Sequence, residues 1–277
     1  MASVYNLPAN NSRLIGAPVN HKVMRGDYFQ DLAEQYNVGF LAMLAANPGV
    51  DPFLPTIDSN LVIPKQMLLP FGKREGIVIN LAELRLYYYP EGENLVYVFP
   101  VGIGRQGLAT PQVTSTIGDK RKDPVWRPTK DMRERYFVEH GKEMAKEFPA
   151  GPNNPFGKYA LRIGTSEYLI HGTNKRFGIG MRASSGCIRM YDHDIEWLYN
   201  NIAIGTVIRI LVQPVKMSYE QDGKKMEVHS PLTPESQTET KLVMTDAVRS
   251  FIGEDKVLLE TVSRLLDKPQ GVVVSLK

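Results

Sequence analysis

The chain has 277 residues, 43% of them hydrophobic and 23% charged, which supplies enough apolar side chain for a core and places it away from the disordered class of chains. Its net charge of +3 comes from 33 basic and 30 acidic residues with no dense Lys/Arg tract, a pattern that argues against nucleic-acid binding. No run approaches the roughly 18 apolar residues of a membrane span, and the single cysteine, Cys187, precludes an internal disulfide.

Residues 1–20 lack the basic start and apolar stretch of a secretory signal, as a mature exported protein would, and their Pro and Asn content predicts a surface arm. From His21 to Pro70 a small module is predicted. A short run at His21–Met24 meets the turn Arg25-Gly26-Asp27, where Asp27 is placed to cap a helix. Phe29, Leu32, Ala33 and Tyr36 recur at helical spacing, Asn37-Val38-Gly39 breaks the pattern, and Phe40, Leu41, Leu44 and Ala45 open a second helix. Leu61-Val62-Ile63-Pro64 closes the module as a strand, giving βααβ.

After a linker at 70–76 the sequence turns to β-branched and aromatic alternation. Strands are predicted at Ile77–Asn80, Leu84–Tyr89, Val96–Phe99 and Tyr168–His171, with Pro90-Glu91-Gly92 as a hairpin turn. Between the last two lies Gly104 to Gly157, which carries Pro111, Pro124, Pro128, Pro149, Pro152 and Pro155 and a short helix at Lys130–Tyr136. A loop of that length inside a domain reads as a substrate flap. Asp192 to Ile204 is predicted as one helix capped by Asp192, and Val207–Val212 as a central strand. Asp222-Gly223 signals a hairpin between Met217–Tyr219 and Met226–Val228, residues 231–240 form a polar connection, and Thr245–Lys268 reads as one amphipathic helix docked on the preceding domain. The fold class is therefore α+β: a mainly β catalytic domain at 76–214, with the βααβ module at 21–70 before it and a hairpin-helix extension at 215–277 after it.

Chemistry concentrates at two points. Cys187 sits in Ser184-Ser185-Gly186-Cys187-Ile188-Arg189, where Gly186 permits close approach to a ligand and backbone N–H groups can face an oxyanion. His171 ends a strand 187 − 171 = 16 positions earlier and is followed by Gly172. Alone, each residue has an ordinary structural explanation; together, with Arg189 as a nearby cation, they read as a thiol nucleophile and its base. Asp192-His193-Asp194 splays on a helix start without closing ligands, so no metal or cofactor is expected. His21, His140 and His229 read as surface residues.

His171-Gly172-Thr173-Asn174, Phe177-Gly178-Ile179-Gly180 and Ser184-Ser185-Gly186-Cys187-Ile188-Arg189 together closely resemble the L,D-transpeptidase catalytic domain of bacteria, over about Gly76 to Pro214. Ser185 stands where that family commonly has a second His. Gly26-Asp27, Asp31-Leu32-Ala33, Asn47-Pro48 and Leu61-Val62-Ile63-Pro64 resemble a LysM module, which grips glycan strands; Tyr28 departs from the Thr usual there.

The resemblance implies that Cys187 attacks the diaminopimelate–D-Ala bond of a peptidoglycan tetrapeptide stem and forms a thioester. His171 is then the base, oriented by the Gly172 carbonyl. Gly186, Ser185 and Ser184 line the oxyanion and substrate site, and Arg189 meets a substrate carboxylate. The implied acceptor is the terminal Lys of an outer-membrane lipoprotein; a neighbouring diaminopimelate, giving 3–3 cross-links, or water, making the enzyme a hydrolase, stay open. So does a non-catalytic wall-binding protein. The implied location is the periplasm.

Overall fold

The computed structural model describes residues 2–9, 11–232 and 241–277. Its centre is a nine-stranded sheet whose strands run, edge to edge, Ser3–Asn6, Leu95–Pro100, Arg85–Tyr89, Gly76–Asn80, Val207–Leu211, Val113–Lys122, Tyr159–Ile163, Leu169–His171 and Ile188–Arg189. Neighbours are antiparallel except for two parallel pairs, Gly76–Asn80 with Val207–Leu211 and Leu169–His171 with Ile188–Arg189. Val207–Leu211 thus takes the middle position that its apolar run predicts.

The pleat divides the sheet's side chains between two cores. Ile77, Ile79, Leu86 and Phe99 join Ile195 and Leu198 in one, while Val78, Tyr87, Val96 and Val98 join Ile15, Met67 and Leu69 in the other. Being covered on both faces explains why these strands read as nearly continuous apolar runs.

Two strands of this sheet lie in segments predicted otherwise. Ser3–Asn6 is no surface arm: it pairs in register with Leu95–Val98 and closes one sheet edge. Val113–Lys122, expected as flap loop, is a strand of 10 residues between two others. Its alternation is invisible because most of its side chains are polar and face solvent, so backbone pairing and not apolar burial places it.

The N-terminal unit is βααβ: Val19–Lys22 pairs antiparallel with Asn60–Ile63, and helices α1 (Phe29–Tyr36) and α2 (Phe40–Ala46) pack over them. Phe29, Leu32, Met43, Leu61 and Ile63 form its core. Asp27 does not cap α1. Its carboxylate accepts the Met24 N–H at 2.7 Å and meets His21 Nε2 at 2.8 Å, so His21 is buried, not on the surface. Asn37, left-handed at φ 51°, ends α1 by donating its N–H to the Ala33 and Glu34 carbonyls.

In the central domain α3 spans Lys130–His140 and α4 spans Asp192–Asn201. The C-terminal unit begins with the hairpin Val215–Glu220 and Gly223–Val228, joined by a third strand, Val273–Leu276. The single helix expected at 245–268 is two, α5 (Asp246–Ile252) and α6 (Lys256–Asp267), broken at Gly253 with φ +81° and restarted by Asp255, which accepts the Val257 and Leu258 N–H groups. These helices do not dock on the central sheet; they cover the hairpin, building a separate core of Met226, Val228, Phe251, Val262 and Leu266. The polar connection expected at 231–240 lies, from 233 onward, outside the described residues.

A buried ion network joins the units. Lys216 Nζ lies 2.8 Å from Glu83 and 2.9 Å from Glu227, and Arg85 lies 2.9 Å and 2.7 Å from the same two carboxylates. His229 Nε2 meets Glu227 at 2.8 Å, which makes it an interior residue and not a surface one. Glu83, Glu227 and His229 stand close enough together to hold a cation, but Lys216 and Arg85 already supply the positive charge there.

Candidate active site

The register of the last two sheet strands decides which side chains share a face. Ile170 is opposite Ile188 and His171 opposite Arg189, and both isoleucines enter the core. By alternation His171, Arg189 and Cys187 point to the other face, with Cys187 diagonal to His171. Diagonal positions on a sheet face lie about 7–8 Å apart, within reach of two side chains turned toward each other. The register therefore places on one face two residues that the sequence sets 187 − 171 = 16 apart.

The imidazole is held on one side. His171 Nδ1 sits 2.6 Å from the Gly172 carbonyl oxygen, which fixes the proton on Nδ1 and leaves Nε2 as the basic nitrogen. The ring is buried, and burial drives its pKa down to about 3 against the upward pull of that carbonyl, with Arg189 lowering it further. Burial likewise raises the Cys187 thiol, while the Leu169 backbone and Arg189 pull it down. Both groups rest neutral at pH 7.

Gly172 is glycine for a steric reason as well. A Cβ there would lie 2.2 Å from Asp192 Oδ1, which accepts the Thr173 N–H at 3.0 Å. Asp192 thus ties down the loop after His171 and does not cap α4, whose N-cap is Tyr191.

The turn before Cys187 is locked internally. Ser184 Oγ donates to the Cys187 carbonyl at 2.5 Å and accepts the Gly186 N–H at 3.2 Å, and Thr110 Oγ1 donates to the Gly186 carbonyl at 2.8 Å. Gly186 has φ +103°, and a Cβ on it would meet the Tyr168 ring at 2.9 Å. Ser184 and Gly186 are buried, so they shape the turn; Ser185 is exposed, and it lines the cleft together with Arg189.

That cleft, of ≈ 420 Å³, runs between this turn and the 126–148 segment. Cys187 and His171 lie beside it and not among its lining residues. Arg105, Arg135 and Lys175 join Arg189 along it, and no ion pair of these four side chains is found among the described residues. Glu139, one turn beyond Arg135 on α3, and Glu143 add carboxylates.

Aromatic rings link the 126–156 segment to His171: Phe148 and Trp126 are 5.0 Å apart, Trp126 and Phe156 6.1 Å, and Phe156 and His171 4.6 Å. Asn154, almost fully buried, staples the flap by donating to the Pro124 carbonyl at 2.7 Å and accepting the Phe156 N–H at 2.8 Å. The sequence reading missed the cleft residues Arg105, Arg135, Lys175 and Trp126. The signal for Arg105, Trp126 and Arg135 was aromatic and basic residues scattered through a Pro-rich stretch, and for Lys175 its place right after His171-Gly172-Thr173-Asn174.

Residues 74–212 match the L,D-transpeptidase catalytic domain and residues 214–276 the L,D-transpeptidase C-terminal domain. The probable L,D-transpeptidase YcfS of Escherichia coli K12 is 44% identical, an alignment covering all of this chain and 89% of that relative. The chain belongs to the L,D-transpeptidase family. The probable L,D-transpeptidase ErfK/SrfK of Salmonella typhimurium LT2 is 45% identical over the whole chain and 92% of its own length. The probable L,D-transpeptidase YbiS of Escherichia coli K12 is 43% identical over 94% of the chain and 88% of the relative. This L,D-transpeptidase is thus an acyl-transferring enzyme acting on peptidoglycan stems, and no helix among its described residues is long and apolar enough to cross a membrane.

Proposed function

We propose that this L,D-transpeptidase uses Cys187 as nucleophile and His171 as base to cleave the diaminopimelate–D-Ala bond of a tetrapeptide stem and pass the acyl group to an amine. The observation that carries the reading is the shared face of Cys187 and His171 beside a cleft with unpaired cations. The thiol sulfur adds to the stem carbonyl as its proton moves to His171 Nε2. A buried imidazolium is a strong acid, because burial holds the His171 pKa near 3. It therefore gives the proton readily to the departing D-Ala nitrogen, leaving a thioester on Cys187.

The Gly186 N–H already serves Ser184, so the Cys187 N–H is the backbone group offered to the oxyanion. Arg189, half-buried at the cleft, is suited to a stem carboxylate. Water would need none of the cleft's charged groups. An amine carrying its own carboxylate matches a cleft lined by both cations, Arg105 and Arg135, and carboxylates, Glu139 and Glu143, which supports transfer over hydrolysis. The acceptor in this reading is the terminal Lys of an outer-membrane lipoprotein, the βααβ unit is a LysM module that grips glycan, and the enzyme works in the periplasm.

The test is incubation with disaccharide-tetrapeptide and either a peptide ending in Lys or a second stem, followed by mass spectrometry. Ligation to the Lys peptide supports the full reading. A 3–3 linked product moves the acceptor to diaminopimelate, and tripeptide alone makes the enzyme a hydrolase. Turnover by Cys187→Ala equal to the parent would end the nucleophile assignment.

A further inference from the structure

The loop between base and nucleophile has two sides. Its inner side, at Thr173, Asn174 and Lys175, lines the cleft immediately after His171. Its outer side, from Arg176 to Gly180, meets the βααβ unit.

Three contacts make that seam. Arg176 reaches α1, with Nη2 3.0 Å from Asp31, Nη1 2.9 Å from Glu34 and Nη2 3.1 Å from the Tyr28 hydroxyl. The Leu41 N–H at the start of α2 donates to the Gly180 carbonyl at 3.1 Å, and the Gly180 N–H in turn donates to Val101 of the central domain at 3.2 Å. The two backbones touch at glycines: a Cβ on Gly39 would lie 3.0 Å from the Gly180 Cα, and one on Gly180 would lie 2.2 Å from the Gly39 Cα. Gly180 also has φ +70°, a second reason for glycine there.

We infer that the βααβ unit is a positioning element of the active site, holding the 173–181 loop from outside so that Asn174 and Lys175 face the cleft. This role is independent of any glycan the unit grips, although its catalytic consequence rests on the proposed function. Magnitudes divide the labour within the seam. The Arg176 pairs are half-exposed, with side chains 45%, 47% and 31% accessible for Arg176, Asp31 and Glu34, and such pairs contribute about 1 kcal/mol or less. The backbone-to-backbone contact has no slack of that kind. Main chain cannot rotate away as a side chain can, so the glycine seam sets the loop's position and Arg176 trims it. Short Lys175 and Asn174 displacements then matter, since misplacing a substrate-binding group by about 1 Å costs up to about 100-fold in rate.

Gly39→Ala tests this from the far side of the seam, because it inserts a wedge against Gly180 without altering any cleft residue. On the full chain, the expected result is faster amide hydrogen exchange across 173–181. With disaccharide-tetrapeptide, kcat/KM for D-Ala release falls about tenfold, mostly through KM. Arg176→Ala should lose about twofold to fivefold, Arg176→Lys should recover part of it, and the charge swap Arg176→Glu with Glu34→Arg should recover most. These variants stand in for the wedge if Gly39→Ala does not fold. Unchanged exchange and unchanged kinetics in folded Gly39→Ala and Arg176→Ala would overturn the inference. If the parent enzyme releases no D-Ala while the wedge still speeds exchange at 173–181, the proposed function fails and the brace stands.

Discussion

His171 is buried and Cys187 half-buried, and burial acts on both in the same direction, toward the neutral form. A preformed thiolate–imidazolium pair is therefore disfavoured before substrate arrives. It follows that alkylation of Cys187 by iodoacetamide should rise steadily with pH and show no plateau below pH 9, whereas a preformed pair gives a plateau near neutrality. The same imidazole leaves a trace in stability. Its folded pKa, about 3, lies below the ordinary 6.5, so protons bind the unfolded chain first and stability falls as pH drops from 6.5 toward 3. Asp194 works oppositely: burial lifts it to about 7, so its contribution falls as pH rises from 3.8 toward 7. The parent's pH curve mixes the two, and the difference between parent and His171→Gln isolates the first. We expect that difference, measured by urea unfolding, to shrink as pH falls from 6.5 to 4.5. A constant difference would contradict a buried neutral imidazole.

At the level of elements, the site is a turn and two short strands, and the turn is the fragile part. Gly186→Ala adds a left-handed backbone penalty of about 1–2 kcal/mol and a Cβ against the Tyr168 ring at 2.9 Å. The ring can shift, but the turn carries the Ser184 and Thr110 bonds that aim Cys187. Gly186→Ala should therefore fold, lose about 100-fold or more in kcat, and react with a carbapenem at Cys187 correspondingly slowly, as intact mass would show. The elements also explain what was legible beforehand. Strands such as Gly76–Asn80 were readable because both faces are apolar, and Cys187 and His171 stood out as candidates because glycines flank reactive residue types. Val113–Lys122 was not, since its pairing is all backbone. The break in the 245–268 helix depended on Gly253, a signal present but weaker than the apolar stripe around it. Asp27 and Asp192 both stood where a cap belongs, yet each found an N–H elsewhere in the fold, and neither choice is visible without tertiary contacts. Arg105, Arg135 and Lys175 became a group only when the flap folded over the cleft.

Across the whole molecule, the contacts that join the three units include the glycine contact beside the candidate site and the buried ion network. The network joins chain segments far apart: Glu83 and Arg85 from the central sheet, Lys216, Glu227 and His229 from the C-terminal hairpin, and the Leu68 N–H, which donates to Glu227 at 2.6 Å. Burial alone would raise both glutamates, but Lys216 and Arg85 overcome it and hold them below the usual carboxylate range, Glu227 most strongly. Two carboxylates facing two fixed cations are balanced, and removing one member leaves a buried charge without a partner. Lys216→Met keeps the length and apolar stem of the side chain yet strands Glu83 and Glu227 against Arg85 alone. The expected cost is about 3–5 kcal/mol, read as a lower urea midpoint, with the loss largest near neutral pH. It should diminish below about pH 4.5, where the stranded carboxylates of the variant can take up a proton. Replacing Glu83 by Gln in the same chain should recover part of the loss, since it removes the charge that Lys216 had balanced. A Lys216→Met variant as stable as the parent at pH 7 would mean that the C-terminal unit is held by its apolar contacts, and that the network contributes nothing to joining the units.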